Sequence, residues 1–165
     1  MDYRHEQLTL AFALDEPSIT ERHAPRVRVG LVSDVGPPSG APIITSSSAA
    51  YDLIRGEASR WDRERFLTIL LDNKHHLLGV EEVSVGTLSQ TLVHPREVFK
   101  AIILTNAAAF LAIHNHPSGD PTPSREDIEI TRRLREVANI FGVRFLDHVV
   151  VGSDRYVSFV DDGYW

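Results

Sequence analysis

Residues 107–142 constrain the fold more than any other part of the chain, because they join a short apolar run to a long helix through one turn. The run AAAFLAIHNH ends at His116, and its length and apolar character are typical of a buried central strand. The turn PSGDPTP follows, and residues 124–142 carry the pattern of an amphipathic helix that stops at Gly142. A buried strand followed directly by an amphipathic helix indicates a sheet flanked by helices.

Strand and helix patterns continue on both sides of this unit. Strands are predicted at 26–34, 64–72, 77–86, 143–152 and 155–160, and helices at 46–59 and 94–106. The turn at 73–76 makes a hairpin of the first pair of adjacent strands, and the last two strands form a second hairpin. This order predicts a mixed sheet with helices packed against it. Within the helix at 124–142, the predicted apolar stripe is Ile128, Leu134, Val137, Ile140 and Phe141.

The first 45 residues differ from the rest of the chain. Residues 1–25 are polar and lack clear periodicity, so we predict an N-terminal arm over 1–45, with the strand at 26–34, and a main domain over 46–165. The N-terminus lacks the basic start and apolar core of a signal peptide, and no apolar run is long enough to span a bilayer. We therefore expect a cytoplasmic protein with no membrane partner.

Composition limits the chemistry. The chain of 165 residues contains no cysteine, which excludes disulfides, thiolate metal ligands and a cysteine nucleophile. A formal net charge of -6 gives no overall attraction to a phosphate backbone, so nucleic-acid binding has little support from charge.

Four side chains with metal or catalytic chemistry lie around the turn. His114 and His116 are two residues apart on a strand, so their imidazoles share one face, whereas Asn115 points to the other. Asp127 lies in the first turn of the next helix. Two histidines and one carboxylate suit a catalytic Zn²⁺ with water at the fourth position, whose pKa would fall to about 7. Ser124, one helical turn earlier, could donate a hydrogen bond to an oxyanion.

A structural interpretation competes for part of this set. Ser124 and Asp127 have the spacing of a capping box, with Asp at the position usually held by Glu or Gln. Capping explains these two residues but gives no reason for two imidazoles on one face of a strand end. The two interpretations are compatible, because a capping serine can still face the site.

The spacing of His114, His116, Ser124 and Asp127 resembles the JAMM (MPN-plus, Jab) metalloprotease motif. More narrowly, HNHPSGDPTPS together with GT at 86–87, HPRE at 94–97 and LDH at 146–148 resembles the RadC family, over residues 46–160. The resemblance implies a three-layer α/β/α sandwich around a curved mixed sheet, related to that of JAMM and cytidine-deaminase-like domains. It implies a Zn²⁺ held by the two histidines and the aspartate. The broader JAMM group cleaves peptide or isopeptide bonds, so the resemblance implies a zinc-dependent peptidase or isopeptidase acting on a protein or peptide.

The JAMM motif also requires an upstream glutamate as general base, near the start of the strand after the first helix. That order selects Glu64. Glu81 and Glu82 on the return strand are the alternatives, and because they are adjacent they face opposite sides of the sheet.

Two departures from the family patterns bear on function. JAMM deubiquitinases have Ser or Thr between the histidines, whereas this chain has Asn115, as RadC proteins do. Full-length RadC proteins also carry a helix-hairpin-helix DNA-binding module, and residues 1–45 lack its Gly-rich pattern. Two alternatives to the hydrolase stay open: a partner-binding domain that holds metal with little turnover, and a DNA-repair-associated role carried by the RadC label.

The remaining histidines divide into two groups. His75 and His76 are predicted to be solvated turn residues, and His94 to start a helix in a structural role. Asp147 and His148 lie on a strand, where they form either a buried hydrogen-bonded pair or a second layer that orients a metal ligand.

Overall fold

The protein is described by a computed structural model over residues 40–58, 60–86 and 93–165. Its elements are α1 (Ser47–Ala58), β1 (Arg65–Leu71), β2 (Leu77–Val85), α2 (Pro95–Leu104), β3 (Ala109–Asn115), α3 (Arg125–Phe141), β4 (Arg144–Val151) and β5 (Tyr156–Ser158). Each helix and strand predicted after residue 45 is present. The predicted strand at 26–34 lies outside the described residues, as does most of the predicted arm.

The five strands form one mixed sheet in the order β2-β1-β3-β4-β5. β3 and β4 are parallel and are joined through α3, whereas the other neighbouring pairs are antiparallel. Both predicted hairpins are therefore confirmed. β3 lies at the centre with all seven residues buried, as expected for a strand covered on both faces.

Helices cover both faces of the sheet. On one face, α1 packs through Ile54 against side chains that include Leu67 and Ile113. On the other face, residues of α2 and α3, among them Leu134, form a second buried cluster with alternate residues of the same strands, among them Phe110. This arrangement confirms the predicted α/β/α sandwich. None of the helices in the described ranges has the length and apolar character needed to cross a membrane.

The long helix α3 begins and ends as its sequence predicts. Ser124 is the N-cap: its hydroxyl accepts from the Asp127 backbone N–H, and the Asp127 side chain accepts from the Ser124 backbone N–H, so the capping box is complete. Gly142 ends the helix in the left-handed conformation at φ 67°.

The predicted apolar stripe on α3 is only partly correct. Leu134 is fully buried, but Ile140 is 81% exposed, and Ile128 and Phe141 are exposed as well. The buried face is instead formed by Asp127, Thr131, Leu134 and Ala138. The N-terminal half of this face is polar because it lies above His114, in β3, and His116, just after it, so the apolar pattern did not identify it.

The turn between β1 and β2 contains His75 and His76, at the opposite end of β1 from Glu64. Asp72 holds this turn, since its carboxylate accepts hydrogen bonds from the backbone N–H groups of Lys74 and His76 at 2.8 Å each. His94 caps α2 by accepting from a backbone N–H in its first turn, in agreement with its predicted structural role.

Candidate metal centre

Two imidazoles and one carboxylate converge where β3 meets α3. His114 Nε2 lies 3.1 Å from His116 Nε2 and 3.2 Å from Asp127 Oδ1, and His116 Nε2 lies 3.4 Å from Asp127 Oδ2. Ligand atoms placed tetrahedrally at about 2.0–2.1 Å from a Zn²⁺ are roughly 3.3–3.4 Å apart. The three side chains therefore fit a single metal ion, and within the described ranges they are the one group of this kind.

The local chain geometry produces this convergence. His114 pairs with Phe66 of β1 and with Val150 of β4, so its position is determined by the centre of the sheet. The turn after His116 brings the start of α3 back over the strand end. The capping box then orients Asp127, whose Oδ2 accepts from the Ser124 backbone N–H at 2.7 Å and from the Ser124 hydroxyl at 2.6 Å.

The ring of His116 is oriented by the turn itself. Its Nδ1 lies 2.8 Å from the Asp120 carbonyl oxygen, which can only accept, so Nδ1 carries the proton and Nε2 faces the site. This turn packs closely on the β4–β5 turn, because a Cβ atom added at Gly152 would clash with the Gly119 carbonyl oxygen. Gly119 itself has φ +86°, which favours glycine.

The ring of His114 is oriented by a buried chain of hydrogen bonds. The Thr131 hydroxyl donates to the Asp127 carbonyl at 2.6 Å, so it accepts from His148 Nδ1–H, also at 2.6 Å. Neutral His148 then has a free Nε2, which accepts from His114 Nδ1–H at 2.8 Å. His114 consequently directs the lone pair of Nε2 towards His116 and Asp127.

His148 stays neutral because of its surroundings. Burial lowers the pKa of His148 well below its usual value, and the neighbouring His114 lowers it further. The ring packs between Phe66 and Phe159. Both predicted features of this strand are present: Asp147 and His148 are buried, and His148 orients a candidate ligand.

The ring partner of His148 is nevertheless Thr131 rather than Asp147. The Asp147 carboxylate accepts from the Ser158 hydroxyl and from the backbone N–H groups of His148 and Val160. Burial raises the pKa of Asp147, and the hydrogen bond from Ser158 opposes that rise. The prediction from sequence missed Thr131, although its position one turn after Asp127 puts both on the same helix face.

Charge in the site favours a cation. Burial alone would raise the pKa of Asp127, but hydrogen bonds with His114 and His116 outweigh it and bring that pKa well below its usual range. The hydrogen bond with Asp127 raises the pKa of His116, burial opposes this, and the negative charges of Asp127 and Glu64 add to the rise.

Glu64 lies close to this group in the fold. It immediately precedes β1 and is half-buried, and its charge acts on His116. The antiparallel register pairs Phe66 with His114, so Glu64 lies at the end of the sheet where β3 leads into His116.

The alternative glutamates lie on β2, which β1 separates from β3. Glu82 is exposed and forms an ion pair with Arg65 at 2.6 Å, and Glu81 pairs with Thr68 in the middle of β1.

A buried His-His-Asp group at the end of the central strand of an α/β/α sandwich defines a JAB-type domain that could hold a metal ion. A family model described as the RadC-like JAB domain matches residues 44–164, and the chain belongs to this family.

Relatives with strong sequence similarity include three named UPF0758 protein. That of Geotalea uraniireducens is 49% identical over 119 residues, covering 72% of this chain and 52% of the relative. That of Desulfitobacterium hafniense is 48% identical over 122 residues, covering 74% and 54%. That of Methanosarcina mazei is 44% identical over 121 residues, covering 73% and 53%. The chain thus spans about half the length of the curated relatives it matches.

Proposed function

We propose that this domain is a zinc-dependent hydrolase that cleaves a peptide or isopeptide bond in a protein or peptide substrate. The observation that carries the proposal is the convergence of His114 Nε2, His116 Nε2 and the Asp127 carboxylate at separations of 3.1–3.4 Å. Zinc is the proposed metal because the ligands are two imidazoles and one carboxylate and the chain has no thiolate to offer.

In the proposed reaction, three residues bind the metal and a fourth transfers the proton. Zn²⁺ held by His114, His116 and Asp127 would lower the pKa of a water molecule to about 7 and polarise the substrate carbonyl. Glu64 accepts a proton at its carboxylate and returns it to the leaving amine, as a general base and then a general acid. The support for Glu64 is its half-buried position and its electrostatic effect on His116.

Ser124 is the proposed donor to the substrate carbonyl oxygen as negative charge develops there. In the structure its hydroxyl donates to Asp127 Oδ2 at 2.6 Å. The proposed role requires this hydroxyl to turn towards the substrate, while the Ser124 backbone N–H continues to hold Asp127 at 2.7 Å.

The test compares Glu64→Gln with Glu82→Gln in the zinc-loaded protein. The probes are internally quenched peptide libraries joined through either an α-amide or a lysine ε-amide bond. We expect Glu64→Gln to retain zinc and to lose about 10²- to 10⁴-fold in turnover. Glu82→Gln should keep both, because Glu82 is exposed and paired with Arg65.

Three outcomes would contradict parts of this proposal. Full activity in Glu64→Gln would show that another group is the base. Stoichiometric zinc without cleavage of either library would favour the partner-binding alternative. Specific DNA binding near physiological salt, with the steep salt dependence of phosphate contacts, would favour the DNA-repair-associated role.

A further inference from the structure

The residue between the two histidines contacts the chain on both sides of Glu64. Asn115 is 4% exposed, and its Oδ1 accepts a hydrogen bond from the Arg65 backbone N–H at 2.8 Å. Its Nδ2 donates to the Arg63 carbonyl oxygen at 3.2 Å. One side-chain amide thus holds the two backbone groups that flank Glu64.

We infer that Asn115 is a positioning residue that fixes Glu64 relative to the metal ligands, an inference that rests on the proposed function of Glu64. Because Asn115 stands between His114 and His116 at the end of β3, the two histidine ligands and the segment carrying Glu64 are attached to the same stretch of chain. The two imidazoles lie on one side of this stretch, and the amide that holds the base lies on the other.

The amide acts where the regular strand pairing stops. At this end of the sheet, the pairing of β1 with β3 ends at Phe66, which lies opposite His114. Beyond it, the Asn115 side chain supplies the bonds that a backbone ladder would otherwise make. The Glu64 carbonyl is held from the opposite side by the Gly86 backbone N–H at 2.8 Å, so the segment is fixed from both neighbouring strands.

Only an amide side chain of this length can make both bonds. Serine or threonine carries a single oxygen on a shorter side chain, so neither can contact the Arg63 carbonyl and the Arg65 N–H together. Aspartate matches the shape and keeps the acceptor, but it has no donor and places a carboxylate oxygen against the Arg63 carbonyl. The departure from the Ser or Thr of JAMM deubiquitinases therefore has a structural consequence in this chain.

A purely structural role for Asn115 makes a different prediction. If the amide only satisfies backbone groups at the end of the sheet, its loss lowers stability and leaves the chemistry of the folded protein unchanged. If it positions Glu64, the folded and zinc-loaded variant loses kcat while KM and zinc affinity are retained.

The experiment uses the full zinc-loaded chain with Asn115→Ser and Asn115→Asp, the latter as the closer match in shape should the serine variant fold poorly. Asp72→Ser is the matched control, because Asp72 holds backbone N–H groups at the other end of β1 at 2.8 Å. On the quenched peptide libraries we expect kcat to fall about 10- to 100-fold in both Asn115 variants. KM and zinc affinity should stay within about twofold, and the control should retain its kcat.

A double-mutant comparison separates positioning from an independent effect. In a Glu64→Gln background, Asn115→Ser should reduce the residual rate by less than about twofold, because the group it positions is already disabled. An equal fold loss in both backgrounds would overturn the inference, and so would loss of zinc affinity with kcat unchanged.

A second measurement does not depend on turnover. With Co²⁺ alone bound in place of zinc, the Glu64 side-chain carboxyl carbon should show a paramagnetic NMR shift, and Asn115→Ser should change it while speeding amide exchange at Arg65. If Asn115→Ser changes both the shift and the exchange rate in a protein that cleaves neither library, the positioning role stands and the hydrolase proposal fails. If neither the shift nor the exchange changes, the inference is refuted whatever the activity.

Discussion

Replacing Thr131 with valine tests whether a residue outside the candidate ligand set determines which nitrogen of His114 faces the site. Valine has nearly the same shape as threonine, so the substitution removes a hydroxyl without opening a cavity. That hydroxyl accepts from His148 Nδ1–H at 2.6 Å, and His148 accepts from His114 at 2.8 Å. Without this hydroxyl, the buried Nδ1–H group of His148 has no hydrogen-bond acceptor.

The chain of bonds then favours the wrong tautomer. Neutral His148 can carry its proton on its own Nε2, which then donates to His114 Nδ1. The proton of His114 must then sit on His114 Nε2, which is the atom proposed to bind metal. Loss of a partner that orients a metal-binding histidine costs 10- to 100-fold in metal affinity, which is about 1.4–2.8 kcal/mol of binding free energy. If the proton stays unpaired instead, the free energy of unfolding falls by about 1–3 kcal/mol.

The chain provides a matched control in Thr68. It is fully buried like Thr131, but its hydroxyl has no hydrogen-bond partner. We therefore expect Thr68→Val to keep or increase the free energy of unfolding, because it replaces a buried hydroxyl that has no hydrogen-bond partner with a methyl group.

Zinc affinity is measured by competition with a chromophoric chelator, and thermal unfolding is followed with and without zinc. We expect Thr131→Val to weaken zinc binding by at least tenfold relative to Thr68→Val, and to reduce the zinc-dependent rise in Tm accordingly. If the two valine variants bind zinc within twofold of each other, Thr131 and His148 do not orient His114, and the tautomer argument is wrong.

Two further predictions concern His116. Gly152→Ala places a Cβ atom against the Gly119 carbonyl oxygen, so the turn that orients His116 has to move and zinc affinity should fall. Gly79→Ala, which has nothing within 4 Å of the added Cβ atom, should leave zinc affinity unchanged. Without metal, the pKa of His116 is raised in the folded protein. Protonated His116 therefore contributes its full stabilisation below about pH 6.5, and this stabilisation is lost as the pH rises through the pKa of His116 in the folded state. Burial lowers the pKa of His148, which destabilises the fold only below about pH 6.5. The metal-free Tm should thus be highest near pH 6.5 and decline above it; His116→Asn should remove the decline, and a Tm that climbs with pH would contradict the assignment.

Helices and strands were predictable from the sequence where a single pattern of apolar residues runs through the segment. The apolar run at 107–116 and the strand-like segments on either side of short turns identified the strands, and the caps at Ser124 and Gly142 identified the limits of α3. The face of α3 was not predictable from apolar residues, because its buried side includes Asp127 and Thr131, which are selected by the site below them. Polar residues in the sequence therefore indicated a solvent-exposed face where the structure has a candidate metal centre.

The candidate ligands were predictable because their spacing is local. His114 and His116 share a strand face, and Asp127 follows through one turn. The other parts of the site depend on pairings between distant segments: Thr131 meets His148 across the α3–β4 packing, and Asn115 meets the segment before β1. A single sequence contains no signal for those registers, which is why Thr131 was missed and why three glutamates remained candidates for the base.

The arrangement also explains how the fold holds the candidate ligand atoms together. With Nδ1–H of each histidine committed to its own acceptor, two imidazole lone pairs face each other at 3.1 Å beside the Asp127 carboxylate. Such a cluster is unfavourable unless a positive charge enters it. The hydrogen bond with Asp127 raises the pKa of His116, which favours uptake of a proton as the source of this charge. A metal ion bound by the same atoms would compete with that proton, and the burial of β3 holds His114 in position for either one.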